Sequence, residues 1–202
     1  MSDKAVSIAE AARIYSRSCW RGFEQCLFER MKQPDLNLLA EFARAFRINR
    51  QFPGSNGEQP NNVYRPVLDC LTSIALPTTE AELVSAVNTL SKKARIGGEA
   101  LSAASKFIWA RSPEIGVIYD SRARGSLAKL RKTVPDRSGR ITDYETFVRV
   151  WCAVFEQRRG ELEGACREHG LSEPWAKRRL LDYWLYLNGP PPTAGKSKDS
   201  SA

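Results

Sequence analysis

Histidine is almost absent from this chain of 202 residues, and its cysteines form no paired motif. The one histidine, His169, has no second histidine with which to hold a metal ion. The five cysteines are an odd set without a Cys-x-x-Cys pattern, in apolar, helix-like surroundings where a free thiol behaves as a small hydrophobic residue. They are Cys19, Cys26, Cys70, Cys152 and Cys166. We therefore expect no metal site, no cofactor and a reducing compartment.

Long hydrophobic runs are missing too. No apolar stretch approaches the roughly 20 residues that a helix needs to cross a bilayer. No basic segment followed by an apolar one opens the chain, as a secretory leader would. We expect a cytoplasmic protein without a membrane partner.

Signals for β-strands are scarce, whereas helix signals recur. Capping-box patterns occur at Ser7-x-x-Glu10, Thr79-x-x-Glu82 and Thr142-x-x-Glu145, and further N-cap candidates are Asp35 and Ser172. Apolar residues spaced three and four apart follow the capping boxes. We predict an all-α fold with helices near residues 7–32, 36–50, 63–75, 80–94, 99–111, 121–132, 143–168 and 173–187.

Two polar stretches interrupt this pattern. Residues 53–62 are rich in Pro, Gly and Asn and predict a loop, and residues 190–202 begin with prolines and continue with Ser and Lys. With 42% hydrophobic residues, the chain can bury one good core. We predict one compact domain over residues 1–189 and a disordered tail over residues 190–202.

The charge of the chain favours an acidic partner. The net charge is +8, which raises the local concentration of polyanions and is typical of nucleic-acid-binding proteins. A basic balance also occurs in proteins that bind no nucleic acid, where it only maintains solubility.

A glycine segment followed by an acidic residue has the layout of a site. The segment is Arg95-Ile-Gly-Gly-Glu-Ala100, and an apolar run to Arg111 follows it. Gly97 and Gly98 at a helix N-terminus would present two backbone N–H groups to one phosphate. Asp120 stands at the start of a second helix that begins with arginines. A phosphate site beside a carboxylate suggests chemistry on a nucleic acid.

This layout resembles the helix-hairpin-helix DNA glycosylase superfamily. The hairpin corresponds to Ile96-Gly-Gly-Glu-Ala100, the helix to residues 101–110, the loop to Ser112-Pro113 and the apolar-apolar-Asp triplet to Ile118-Tyr-Asp120. The compact proteins described as 8-oxoguanine-glycosylase-like are the most similar, with runs like Ser102-Ala-Ala-Ser-Lys106 and Ile118-Tyr-Asp-Ser121. The resemblance implies duplex DNA as the partner and an enzyme that extrudes a damaged or modified base and cleaves its N-glycosidic bond.

The chain departs from the pattern of this superfamily at three points. Bifunctional members carry a lysine after the hairpin that attacks the sugar, whereas Ala100 stands at that position here. Lys106 lies six residues on, about 240° around a helix and roughly 9 Å along it, so it does not simply replace that amine. Arg95 replaces the first hairpin glycine, and the cysteine spacing of an iron–sulfur cluster is absent. We therefore expect a monofunctional enzyme that uses water.

Each candidate residue also has a plainer interpretation. Asp120 either stabilises the positive charge that develops on the sugar or merely caps the next helix. Gly97 and Gly98 either bind a DNA phosphate or form an ordinary turn. Lys106 either contacts phosphate, acts as a nucleophile on a shifted helix, or is a solvated lysine, and we favour contact or solvation over catalysis.

The helix after Asp120 is strongly basic. Its cationic residues are Arg122, Arg124, Lys129, Arg131 and Lys132. They form either a face that contacts DNA phosphates or a solvated basic face, and we expect the DNA contact because the face adjoins the proposed site. Trp109 and Tyr119 flank the segment and either stack on an extruded base or belong to the core, the core being favoured for Trp109.

The sequence thus leads to a DNA glycosylase-like protein as the first hypothesis. A non-catalytic nucleic-acid-binding helical module is the alternative, and a helical interaction protein is a third. The base that is recognised does not follow from the sequence, because residues from several helices would line its pocket.

Overall fold

A computed structural model describes residues 5–52, 62–93, 100–130, 141 and 143–190. These residues form nine α-helices and no strand, so the predicted all-α fold is confirmed. The helices are α1 Ile8–Arg17, α2 Cys19–Arg30, α3 Leu36–Ala45, α4 Arg65–Ser73, α5 Glu80–Lys93, α6 Ala100–Arg111, α7 Ser121–Leu130, α8 Tyr144–Glu168 and α9 Ala176–Asn188. Two short 3-10 helices, Asn49–Gln51 and Asn62–Tyr64, flank the predicted loop.

The first predicted helix, over residues 7–32, is two helices. Ser18 separates α1 from α2 with an extended backbone, φ −81° and ψ 152°. Its hydroxyl donates to the carbonyl oxygen of Tyr15 over 2.7 Å, and its backbone N–H donates to the same oxygen. A serine side chain that bonds to a nearby carbonyl offers the backbone an alternative to the helix, which explains the break.

Three of the predicted caps are confirmed. The hydroxyl of Ser7 accepts from the N–H of Glu10, and the carboxylate of Asp35 accepts from the N–H of Leu38. The residues of the third cap, Thr79 and Glu82, bond to each other in both directions, as a capping box requires.

The caps predicted for α8 and α9 are wrong. Asp143, not Thr142, caps α8, because its carboxylate accepts from the N–H of Thr146 over 2.7 Å. Thr142 itself lies outside the described residues. Helix α9 begins at Ala176 rather than near the predicted cap Ser172, and Trp175 precedes it without a side-chain cap.

Helix α3 ends at Ala45, well before the predicted residue 50. Arg47 follows in the left-handed region, with φ 55°. The N–H of Ile48 donates back to the carbonyl oxygen of Ala43 over 2.8 Å, which closes the helix end. This turn brings Arg47 and Ile48 to the cavity described below.

Helix α6 lies inside the domain. Every residue from 102 to 110 is buried, including Phe107 and Trp109. The helix packs against α2 and α5, and a helix that is apolar around most of its circumference must be enclosed in this way. Its polar side chains, among them Lys106, are therefore carried into the interior.

Helix α9 packs against α1, α7 and α8.

The connection between α5 and α6 holds the predicted hairpin. Residues 94–99, which include Gly97 and Gly98, lie outside the described residues. Arg131, Lys132 and the tail from residue 191 also lie outside them. In the described part of the chain, no helix combines the length and hydropathy that crossing a bilayer requires.

All five cysteines are free, as predicted. Burial raises the pKa of Cys152 to about 12 and that of Cys166 to about 11. Cys19 and Cys26 on α2 are exposed, so the expectation of apolar surroundings is wrong for these two thiols.

Candidate active site

Lys106 and Asp120 meet at the junction of α6 and α7. The Lys106 side chain is only 10% exposed, and its Nζ lies 3.8 Å from Oδ2 of Asp120. Nζ also donates to the hydroxyl of Ser102, one turn earlier on α6, over 3.0 Å. The expectation that Lys106 is a solvated lysine is therefore wrong, because α6 carries it into the interior.

The two carboxylate oxygens of Asp120 make different contacts. Oδ1 accepts from the backbone N–H of Arg122 over 2.8 Å and so caps α7. Oδ2 faces the ammonium group of Lys106. The cap holds the carboxylate in place, and 23% of the side chain remains exposed to solvent.

The segment between α6 and α7 is fixed against α6. The hydroxyl of Ser105 accepts from the N–H of Tyr119 over 3.0 Å. At Gly116 the segment approaches so closely that a Cβ there would lie 2.5 Å from Cα of Trp109. Only glycine permits this approach. These two contacts determine where Asp120 stands relative to Lys106.

Lys106 and Asp120 line a cavity of about 550 Å³. Such a volume is ordinary for a small-molecule site and is large enough for a nucleobase. The aromatic residues on its wall are Trp20, Phe46, Tyr183 and Tyr186, and the cationic ones besides Lys106 are Arg47, Arg50, Arg122 and Arg179. A cavity with aromatic, cationic and carboxylate groups suits a planar, polar ligand attached to an anion.

A buried ion pair includes one residue of the cavity wall, Arg179. Arg179 on α9 bonds to Glu24 on α2 at 2.6 Å, and Glu24 also accepts from the hydroxyl of Tyr15 at 2.6 Å. Burial by itself would lower the pKa of Arg179, but the Glu24 carboxylate outweighs it and holds the pKa above its usual value. Arg179 therefore remains a cation at the cavity wall.

Asp182 is the second carboxyl group of the cavity, and sequence reasoning missed it. It is 3% exposed, and the indole N–H of Trp151 donates to its Oδ1 over 2.8 Å. Burial raises the pKa of Asp182 to about 7, against the opposing charge of Arg179. A signal was present, because Asp182 stands in the apolar run Leu180-Leu181-Asp182-Tyr183-Trp184-Leu185, where a carboxylate is out of place.

Two of the predicted DNA-binding cations lie against aromatic rings. The guanidinium of Arg122 stacks on Tyr186 at 4.3 Å from the ring centre and lines the cavity. That of Arg124 lies over Tyr119 at 5.1 Å and donates to its hydroxyl at 2.9 Å. Lys129 is exposed. The described part of the basic helix thus provides one arginine at the cavity and two cations beyond it.

The two rings predicted to stack on a base are both buried. Trp109 is 1% exposed and packs edge to face against Phe28 and Phe46. Tyr119 is 7% exposed and packs in the same way against Tyr144 and Phe147. Neither ring lines the cavity, so the stacking interpretation is wrong for both, because packing against neighbouring rings uses both side chains. The core placement favoured for Trp109 is confirmed.

Comparison of the chain with protein-family models, with curated proteins and with solved structures found no match.

Proposed function

We propose that this protein is a DNA glycosylase-like enzyme. It takes a damaged or modified base of duplex DNA into the cavity of about 550 Å³ and breaks the N-glycosidic bond at Lys106 and Asp120. The observation that carries the proposal is the amine–carboxylate pair, 3.8 Å apart and little exposed, on the wall of a cavity of suitable size. The resemblance of the segment from Arg95 to Ser121 to the helix-hairpin-helix glycosylases agrees with this assignment.

The chemistry of the pair suits glycosidic cleavage. Breaking the bond builds positive charge on the sugar, and a fixed carboxylate beside it stabilises that charge. Asp120 is fixed, since its Oδ1 is held by the N–H of Arg122. An amine next to the same carbon is a nucleophile once it has lost its proton to solvent water, and Asp120 then remains a carboxylate beside the sugar.

Lys106, rather than water, is the nucleophile in this proposal. Its lone pair forms a bond to C1′ of the sugar, while the electron pair of the N-glycosidic bond leaves with the base, which gains a proton. The nitrogen then loses a proton, the bond from C1′ to the ring oxygen breaks, that oxygen is protonated, and an iminium ion joins Lys106 to the sugar. In the sequence, Ala100 stands where bifunctional glycosylases carry a lysine, which favoured water as the nucleophile. The amine of Lys106 beside Asp120 supports the covalent route instead.

The cavity wall supports DNA as the partner. Arginines at the wall, Arg47, Arg50 and Arg122, are suited to phosphates, and the exposed ring of Tyr186 is suited to stacking on a base. The net charge of +8 acts in the same direction.

A borohydride experiment tests the nucleophile. The full protein is incubated with duplexes that each carry one lesion, and the products are treated with alkali or with borohydride. We expect a covalent protein–DNA complex after borohydride, with the adduct on the peptide that contains Lys106 by mass spectrometry. Lys106→Gln should abolish it, whereas Lys32→Gln, at an exposed lysine, should leave it unchanged.

Two other outcomes distinguish the alternatives. An abasic product without any trapped complex would mean that water is the nucleophile and the enzyme is monofunctional. Salt-dependent duplex binding without excision of any lesion would identify the non-catalytic binding module, in which Lys106 and Asp120 are a structural ion pair.

A further inference from the structure

Asp182 is a carboxyl group on the cavity wall to which the chemistry above assigns no role. It lines the same cavity as Lys106 and Asp120 and belongs to helix α9. Its Oδ1 accepts from the indole N–H of Trp151, whereas its Oδ2 is buried and has no hydrogen-bond partner among the described residues. A buried polar atom without a partner destabilises the fold unless a water, an ion or a ligand completes it.

The hydrogen bond from Trp151 determines which oxygen of Asp182 carries a proton. Because burial raises the pKa of Asp182 to about 7, a large fraction of the group is protonated at neutral pH. An oxygen that accepts an N–H hydrogen bond points its lone pair at that donor, so the proton resides on the other oxygen. Oδ2 is therefore an O–H donor for which none of the described residues provides an acceptor.

We propose that Asp182 is the proton donor to the departing base. Its Oδ2–H would bond to an acceptor atom of the base in the cavity, a ring nitrogen or a carbonyl oxygen, and transfer the proton as the N-glycosidic bond breaks. This inference rests on the proposed function and narrows its substrate class. The substrate is a base that leaves poorly as an anion and that carries an acceptor on the edge facing α9.

The proton passes from Asp182 to the base as the glycosidic bond breaks. The O–H bond of Asp182 breaks, the proton passes to the base, and the base departs as a neutral molecule with the electron pair of the glycosidic bond. Asp182 remains as a carboxylate, which the N–H of Trp151 and the charge of Arg179 stabilise. Water restores the proton after the base has left.

The two carboxyl groups thus have different roles in the proposed reaction. Asp120 lies beside a cation, where its charge supports the sugar, and Asp182 lies in a buried site that favours its neutral form. Pairs of acids whose surroundings favour opposite charge states are typical of acid–base catalysis. The charged and titratable groups that act on Asp182 are Tyr144, Arg178 and Arg179, and the backbone N–H of Ile118 also faces it. Those that share its cavity besides Arg179 are Arg47, Arg50, Lys106, Asp120, Arg122, Tyr183 and Tyr186.

The substitution Asp182→Asn removes the proton that could be transferred but keeps the hydrogen bond with Trp151. The amide oxygen still accepts from Trp151, and the amide N–H2 replaces Oδ2–H as a donor, but no proton can be transferred. We expect unchanged duplex affinity and a single-turnover excision rate lower by about 10²-fold or more on a lesion such as 8-oxoguanine. Asp69→Asn, at an exposed aspartate, is the matched control and should behave as the wild type.

The dependence of the excision rate on pH and on the leaving base distinguishes proton donation by Asp182 from a purely structural role. Wild-type excision of 8-oxoguanine should decline as the pH rises through about 7, and the decline should be absent in Asp182→Asn. A duplex with 7-methylguanine, whose positively charged base leaves without protonation, should be excised equally by both proteins.

The results separate the inference from the proposed function. Excision by Asp182→Asn at the wild-type rate with the wild-type pH profile overturns the role of Asp182 and leaves the glycosylase proposal standing. No excision of any lesion by the wild type rejects both. A carboxyl ¹³C titration of the full protein gives a further check, because an Asp182 signal that titrates in the ordinary range of aspartate contradicts the inference whatever the activity.

Discussion

Two carboxyl groups that line the cavity stand in different surroundings. Asp120, between α6 and α7, is 23% exposed, caps a helix and faces the ammonium group of Lys106. Asp182, on α9, is buried, and one of its oxygens has no partner among the described residues. The neighbours of Asp182, rather than its own chemistry, decide which of its charge states the fold favours.

The comparison also shows how a helical fold arranges both surroundings. Helix α6 is enclosed, so it brings the amine of Lys106 inside, and the cap of α7 brings Asp120 to that amine. Helix α9 turns Asp182 toward Trp151 on α8, away from solvent. Four predictions test this contrast.

The largest expected effect is that of Asp120→Asn on activity. The substitution removes the negative charge but keeps an oxygen that can accept from the N–H of Arg122, so the fold should persist. We expect excision to fall by about 10²- to 10³-fold, the usual effect of losing one electrostatic contact to a transition state. Single-turnover kinetics with a circular-dichroism control measure this, and wild-type excision would show that Asp120 is only a cap.

Asp182→Asn should change stability in a pH-dependent way. The pKa of Asp182 is raised in the folded protein from 3.8 to about 7, so the folded state holds a proton that the unfolded chain has lost between these values. Wild-type stability should therefore fall as the pH rises through this window. Above it, the variant should be more stable than the wild type by up to about 4 kcal/mol, with no difference below it.

Urea unfolding of both proteins at several pH values measures this difference. A constant difference between wild type and Asp182→Asn from acid to alkaline pH would contradict the raised pKa. The exposed control Asp69→Asn should follow the wild type throughout.

Gly116→Ala should disturb the position of Asp120. The added Cβ would lie 2.5 Å from Cα of Trp109, so the segment before α7 must shift. We expect a loss of about 1–3 kcal/mol in stability, together with slower excision, from this overpacking. Gly164→Ala on α8 is the control, because nothing lies near its Cβ position and alanine favours a helix.

If Gly116→Ala is as stable and as active as Gly164→Ala, the close approach does not position Asp120. Thermal unfolding and single-turnover excision of the two variants settle the comparison.

The smallest effect is expected on DNA affinity. Arg124→Ala removes one cation of the basic helix and should weaken duplex binding severalfold, lowering the slope of log affinity against log salt by about 1. Arg13→Ala, at an exposed arginine of α1, is the control. Equal salt slopes for the two variants would remove Arg124 from the DNA-binding surface.

Much of the fold could be predicted because its signals are local. Caps such as Ser7, Asp35 and the pair Thr79–Glu82 act over three residues, and the structure confirms each of them. Errors arose where a local competitor decided the outcome. The Ser18 hydroxyl broke a helix that periodicity predicted as continuous, and Asp143 capped α8 in place of its neighbour.

The candidate site could be predicted only in part. Asp120 was identified because it follows an apolar pair at the start of a helix, and its capping role is confirmed. Asp182 and Arg179 were missed, since their importance depends on burial beside Trp151 and Glu24, which are distant in the sequence. The core placement that the sequence favoured for Trp109 is confirmed, since its neighbours enclose it.

By itself the sequence determined the helices, most of their caps and the position of Asp120, because these depend on interactions within a few residues. The tertiary structure alone decided that Lys106 is buried beside Asp120 and that Asp182 has one oxygen without a partner among the described residues. Burial and ion pairing depend on which helices pack together, and electrostatic energies depend on distance and solvent exposure. A linear pattern contains neither quantity, so the chemistry of this cavity became apparent only when α6, α7 and α9 were brought together.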